Sequence, residues 1–158
     1  VPRRSVGLLL YRRRPGGVEV LLVHPGGPFW AKKEAGAWSV PKGEMEPGEE
    51  PRAVAAREFR EELGLEPPAG AWLDLGEVTQ AGGKKVRAFA VEGDLDPEDV
   101  ESNTFEMEWP PRSGRRARFP EVDRAAWEPL DRAAERLVAG QRPLLATLAE
   151  ALADGPPS

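Results

Sequence analysis

"GEMEPGEEPRAVAAREFREELGL", Gly43 to Leu65, decides how the rest of this chain is read. Pro51 suits a first helical position and Gly64 a C-terminal stop, with neither Gly nor Pro between them, so the stretch predicts one helix over about 51–63. Glu50 is the N-cap, and a weak one. At about 100° per residue, Ala55, Ala56, Phe59 and Leu63 gather into an apolar stripe. Glu58, Glu61 and Glu62 fall within an arc of about 100° beside that stripe. Like charges at helical spacing repel by a few tenths of a kcal/mol per exposed pair, and by more where water is excluded. Arg57, one turn before Glu61, answers part of this charge, but a guanidinium cannot coordinate three carboxylates. A hard divalent cation can, and ligation by oxygen alone favours Mg²⁺ or Mn²⁺ over zinc. The competing reading is a solvated helix face in which the glutamates pair with Arg57 and Arg60.

The 158 residues suit one domain with a sizeable core, expected over 1–153 with a frayed tail at 154–158. A formal charge of −5 argues against a protein that works by neutralising nucleic acid or an acidic membrane, so a small-molecule partner is expected. The absence of cysteine excludes disulfides, thiol nucleophiles and cysteine zinc sites, and the single histidine, His24, excludes a His-rich metal site. The apolar run after Val1-Pro2-Arg3 is too short for a signal peptide or a membrane span, and a cytoplasmic location is expected.

Around the opening stretch, "SVGLLLYRR" and "VEVLLVHP" read as a hairpin turned by Pro15, Gly16 and Gly17, and His24 sits at a strand end with no assigned role. "HPGGPFWAKKEAGAW" reads as a long loop. "DLGEVTQ" and "KKVRAFAVEG" read as a second strand pair around a Gly-rich turn. In "TFEMEW" strict alternation places Phe105, Met107 and Trp109 on one face and Glu106 and Glu108 on the other. "PPRSGRRARFP" reads as a basic loop, "VDRAAW" as a short strand, and "DRAAERLVAG" and "PLLATLAEALA" as helices separated by Gly140 and Pro143.

As a pattern, the opening stretch is Gly43, five residues, Glu49, seven residues, Arg57-Glu58, apolar Phe59, any residue, Glu61-Glu62, any residue, Gly64 and apolar Leu65. This resembles the complete Nudix box, and at ordinary residue frequencies an accidental match is on the order of one in ten million. "AWSVPKG", "SNTFEMEWPPRSGR" and "FPEVDRAAW" are similar to a bacterial branch of Nudix proteins described as predicted NTP pyrophosphohydrolases. The resemblance implies an α/β fold, an α/β/α sandwich with a mixed β-sheet in which the box forms loop, helix and loop. It implies that Glu58 and Glu62 are the principal metal ligands, with Glu61 a ligand or the group that activates water. It further implies that Arg57 orients the glutamates, that Gly43 offers a backbone carbonyl to the metal, and that Glu49 supports the site.

The implied chemistry is hydrolysis of a phosphoanhydride, with Mg²⁺ or Mn²⁺ neutralising phosphate oxygens and acidifying a water, and a carboxylate accepting its proton. Glu61 is the base candidate inside the box; Glu106 and Glu108 are the distal candidates for a further ligand or base, or else an ordinary solvated strand face. Phe29 and Trp30 can stack on a nucleobase or plug a loop, and Trp38 reads as core. Lys42, Lys32, Lys33, Arg112, Arg115, Arg116 and Arg118 can meet a polyphosphate or stand solvated, with Lys42 favoured because it adjoins Gly43. Nucleoside triphosphates and dinucleoside polyphosphates lead as substrates, while ADP-ribose, nucleotide sugars and inositol pyrophosphates stay open. The alternatives are a nucleotide-sensing module without turnover and, against the net acidity, an RNA cap or decay enzyme.

Overall fold

The computed structural model of the protein describes residues 4–154. The tail expected to fray lies outside the described residues apart from Asp154, which ends the last helix, as do Val1-Pro2-Arg3.

The predicted first hairpin forms from β1 (Arg4–Arg14) and β2 (Gly17–Pro25), antiparallel from Tyr11–Val20 to Arg14–Gly17. The other half of the same β1 edge takes β3 (Lys42–Glu44), through Ser5, Val6 and Gly7. On its opposite edge β1 runs parallel to β5 (Lys85–Glu92), which pairs antiparallel with β4 (Leu73–Thr79). The sheet order is therefore β4-β5-β1-β2-β8, with β8 spanning Val122–Pro129 and β3 off the main path, a mixed sheet.

The central strands read as unbroken apolar runs because both faces are covered. Leu8, Leu10, Leu21, Val23, Phe89 and Val91 point to the side holding α1 (Pro51–Leu63). Their neighbours Leu9, Val20, Leu22, Ala88 and Ala90 point to the side holding α2 (Leu130–Arg136) and α3 (Pro143–Asp154). Trp38 is 1% exposed and belongs to this second core, as expected. The α/β/α sandwich follows from that alternation.

Helix α1 has the predicted bounds. Glu50 makes no side-chain cap bond, and Gly64 closes the helix at φ 70°, its N–H donating to the Arg60 carbonyl. The buried stripe is Val54, Ala55, Phe59 and Leu63, so Val54 takes the place expected of Ala56, which is only half-buried. Val54 lies one turn before Glu58 on the same side of the helix. The helix is rolled toward its glutamate side, so Glu58 and Glu62 lie within the arc that runs from Val54 to Leu63, while Glu61 borders it with its side chain 39% exposed.

The basic-loop reading of 110–120 is corrected: Arg116–Pro120 forms β7, antiparallel to β6 (Thr104–Glu108) in a separate two-stranded sheet. Its Arg and Pro content hid a two-residue alternation of Arg116 and Arg118 with Ala117 and Phe119, which follows the pleat. The predicted helix over "DRAAERLVAG" stops at Arg136, and a 3₁₀ turn at Ala139–Gln141 leads into α3.

Candidate functional site

The β1–β3 pairing brings Gly43 against the middle of α1. A Cβ on Gly43 would lie 1.9 Å from Glu58 Oε1, so the missing side chain is what admits this carboxylate against the backbone. Beside it, the Lys42 N–H donates to Glu62 Oε1 at 3.2 Å. Arg57 donates to Glu49 Oε2 at 2.5 Å, and its Nε lies 3.5 Å from Glu58 Oε2 and 4.0 Å from Glu61 Oε1. Glu49 also accepts the Glu46 N–H at 2.7 Å, which ties the loop before α1 to the arginine.

One carboxylate that the sequence reading leaves out joins this group. Glu121 occupies the single residue between β7 and β8. Its N–H donates to the Asn103 carbonyl (2.8 Å), and the Asn103 N–H donates to the Glu61 carbonyl (2.9 Å) near the end of α1. Ser102 fixes the next residue by exchanging hydrogen bonds with the N–H and carbonyl of Val122. Glu121, Glu62 and Lys42 then line one small cleft with Val23, Ser39 and Val122. The signal in the sequence was slight, an acid between Pro120 and the apolar start of a strand.

Burial is the main force on these groups. It pushes the Glu62 carboxyl up to about 8, against the pull of the Lys42 N–H and ammonium. Glu58 is raised by burial and then by Glu61, and Glu121 by burial and then by Glu61. Lys42 is lowered, first by burial and then by Lys84, with Glu62, Glu44 and Glu58 opposing. Glu49, by contrast, is held below the usual carboxylate range by Arg57. Among the described residues Glu49, Glu58 and Glu61 share Arg57 while Glu62 lies beside Lys42, so acidic groups outnumber the basic ones that answer them.

A divalent cation fits that excess in charge and in donor type, since every donor is oxygen. Among the described residues no three acidic side chains already converge as a finished metal cage. Glu62 is turned to the Lys42 N–H, and Glu58 and Glu61 toward Arg57, so ligation by this set requires side-chain rotation from positions now occupied by hydrogen-bonding and charged partners.

The other sequence candidates are distributed differently. Glu106 and Glu108 lie on the exposed face of the β6–β7 hairpin, opposite Arg118 and Arg116 respectively. Glu108 also accepts the N–H groups of Arg112 and Gly114 in the hairpin turn. Arg112 and Arg116 are exposed on that hairpin, and neither lines the Glu62 cleft. Phe29 (62% exposed) and Trp30 (38%) stand on the loop after β2, with Phe29 edge-on to Trp109 of the hairpin at 5.6 Å. A second cleft, among Arg4, Met45, Asp74 and Arg87, has its charges paired internally through Arg4–Glu77 and Arg87–Asp74.

A family model described as the NUDIX domain matches residues 1–148. The chain is 34% identical over 136 residues to an octanoyltransferase of Myxococcus xanthus, a match covering 86% of this chain and 33% of that protein. It is 30% identical over 149 residues to an 8-oxo-(d)GTP phosphatase of Mycolicibacterium smegmatis, covering 85% of this chain and 37% of that one. The chain thus spans about a third of the length of these curated relatives. Among solved structures, a Caenorhabditis elegans Ap4A hydrolase binary complex is similar at a TM-score of 0.63 and 22% identity, covering 97% of this chain and 99% of that one. The NUDIX domain of Shewanella oneidensis NrtR, complexed with ADP ribose, is similar at 0.63 and 16% identity, covering 96% and 89%. At those identities the structural likeness is one of fold, and it agrees with the layered mixed sheet. With the family model matching nearly the whole chain and the box glutamates gathered around Gly43, the chain belongs to the Nudix family.

Proposed function

We propose that the chain hydrolyses a phosphoanhydride bond in a nucleoside diphosphate linked to another group, with nucleoside triphosphates and dinucleoside polyphosphates as the leading substrates. The observation that carries this reading is the gathering of Glu58, Glu62 and Glu121 with Lys42, all four shifted by burial against their charged forms. Groups held so are poised for charge neutralisation and proton transfer. Glu58, Glu61, Glu62 and the Gly43 carbonyl are the residues that would hold Mg²⁺ or Mn²⁺, and the ion when bound supplies neutralisation of phosphate oxygens and acidification of water.

The chain's own residues do the rest. Arg57, tethered by Glu49, answers the charge of Glu58 and Glu61 until they turn to the ion. Water attacks phosphorus, the bond from phosphorus to the bridging oxygen breaks, and a carboxylate takes the proton. Glu121 is the proton acceptor in this reading, because it shares the cleft with Glu62 and Lys42; Glu61 is the alternative within the box. The Lys42 ammonium meets a phosphate oxygen, and Phe29 and Trp30 offer rings to a base.

The test is release of phosphate or pyrophosphate with Mg²⁺ or Mn²⁺ across nucleoside triphosphates, dinucleoside polyphosphates, ADP-ribose, nucleotide sugars and inositol pyrophosphates, with Glu62→Gln in parallel. Metal-dependent release that disappears in the variant is the expected result. A folded, metal-binding protein that releases nothing from the whole panel would sink this reading in favour of a nucleotide sensor.

A further inference from the structure

The segment that delivers Lys42 and Gly43 to the glutamates is held from two sides. Toward β1 and β2 the backbone holds itself: Ser39 and Val23 exchange N–H to carbonyl bonds at 2.9 and 3.0 Å, and the Pro41 carbonyl accepts from the Leu8 N–H at 3.1 Å. Val40, between them, points its N–H and carbonyl the other way. Pro41 has no N–H, so Val40 and Lys42 carry the last two backbone donors before Gly43. The Lys42 N–H goes to Glu62. The Val40 N–H belongs to a residue with no exposed surface, and it goes to the side chain of Gln141, at Oε1, 3.0 Å away.

Gln141 ends the 3₁₀ turn before α3 and is itself fully buried. Its amide nitrogen donates to the Ser39 hydroxyl and to Gln80 Oε1, just past the end of β4, both at 2.9 Å. The Ser39 hydroxyl in turn donates to the Val40 carbonyl at 2.8 Å. A backbone N–H only donates, so the amide oxygen must face Val40, and its two hydrogens are then both spent. The turn that carries Gln141 is pressed home as well. A Cβ on Gly140 would lie 2.6 Å from the Gln80 Cα, so the turn reaches the end of β4 because this residue has none. On its other side the Trp38 carbonyl accepts the Val138 N–H, and the Val138 carbonyl accepts the Gln141 N–H. Ser39 lines the Glu62 cleft and Gln141 does not, so the amide acts on the site only through the segment it holds.

We propose that Gln141 is a positioning residue for the Glu62 cleft: by holding Val40 and the Ser39 hydroxyl it sets where the Lys42 N–H meets Glu62 and where Gly43 lies against Glu58. Its consequence for turnover rests on the function proposed above, whereas the placement itself does not. The experiment compares amide hydrogen exchange, residue by residue, in three metal-free chains. These are the wild type, Gln141→Met, which keeps the length and loses the amide, and Leu148→Ala, a control from the buried side of α3. Gln141→Met should speed exchange at Val40 and Lys42 about tenfold beyond any change at Phe89 and Ala90 in β5, whereas Leu148→Ala should move all four together. Gln141→Asn, which keeps an amide but draws it back by one methylene, supplies the same comparison where the first variant does not fold. Assayed on nucleotides with Mn²⁺, the Gln141 variants should lose about tenfold in kcat and need more metal for half-maximal rate, while Leu148→Ala should stay within about twofold in both. Lys42 exchange that rises no more than that of Phe89 and Ala90 overturns the placement. Local loosening with unchanged kcat and metal dependence overturns its role in the site. A wild-type chain without turnover counts against the hydrolase reading alone, and the exchange comparison then decides the placement.

Discussion

Glu58 and Glu62 on α1, and Glu106 and Glu108 on β6, are both pairs of carboxylates placed on one face by their element, through the helical turn in one case and the strand repeat in the other. Their surroundings differ. The Glu58 side chain is 13% exposed, under Gly43 and beside a further acid, Glu121. The Glu106 side chain is 51% exposed, and the hairpin register puts an arginine across from each glutamate. Spacing alone gathers charge on a face; shielding from water and a shortage of counter-charge are what set the first pair apart from the second. Exposed cross-strand pairs of the second kind contribute a fraction of a kcal/mol and lack that excess of charge.

The largest effect that would break this contrast concerns Glu62. Glu62→Gln keeps the shape and the acceptor for the Lys42 N–H while removing the group's ability to ionise. Turnover should fall by roughly 10²–10⁴-fold, read as kcat under saturating metal, while circular dichroism and the unfolding midpoint at pH 8 show the fold intact or firmer. Retained turnover would place Glu62 outside the machinery and make the shielded pair no different from the exposed one.

Next in size is the dependence on pH. Glu62 moves from an ordinary 4.5 to about 8 on folding, so the folded chain binds this proton more tightly than the unfolded one. The stability it confers is complete below 4.5 and is lost as pH rises toward 8. Glu58 and Glu121 are raised too and act in the same direction. The metal-free protein should therefore lose roughly 1.4 kcal/mol per pH unit through Glu62 within that window, with Glu58 and Glu121 adding to the loss in the same direction. Saturating Mg²⁺ or Mn²⁺ should restore stability at pH 8 and do little at pH 5, where the carboxyls hold protons. Denaturant melts at the two pH values, with and without the ion, measure this directly; a metal effect that is the same at both would disconnect the ion from these residues.

How far the sequence carries this comparison differs between the two regions. The box helix was legible to the residue because Pro51 and Gly64 punctuate it and its apolar side repeats with the helix. The first hairpin was legible because Pro15, Gly16 and Gly17 turn it. Strand β7 was not, since its pleat is written in Arg116, Ala117, Arg118 and Phe119 behind a stretch rich in turn residues. Glu121 was hidden for another reason. It comes to the box through hydrogen bonds running from Glu61 to Asn103 to Glu121, a connection across some sixty residues of chain that no local periodicity records. His24 was likewise legible only as a strand end, because its partners Lys33 and Asp123 are assembled by the fold.

A smaller effect tests why the helix carboxylates are shielded at all. Gly43→Ala places a Cβ 1.9 Å from Glu58 Oε1 and 2.1 Å from its Cδ. These atoms end a flexible side chain, so the fold should survive at a cost of about 1 kcal/mol, with Glu58 swung away from the backbone. Turnover should drop by at least tenfold and the metal concentration for half-maximal rate should rise. Unchanged metal dependence would mean that Glu58 acts from a position the glycine does not control.

The smallest expected effect falls on the hairpin. Glu106→Gln breaks only an exposed ion pair, at 3.9 Å from Arg118, and should change stability by no more than about 0.5 kcal/mol. Glu108→Gln costs a little more, because the carboxylate accepts two turn N–H groups and the amide can accept through only one oxygen. Neither should move kcat by more than about twofold, since neither lines the Glu62 cleft. The double variant, assayed beside Glu121→Gln, makes the measurement decisive. If Glu121→Gln lowers kcat by two or more orders of magnitude and the hairpin double variant leaves it alone, the distal proton acceptor belongs to the β7–β8 junction. If the hairpin variant carries the loss instead, the β6–β7 hairpin must fold down over the cleft during turnover, and exposure in the unliganded chain would be a poor guide to which carboxylates meet the substrate.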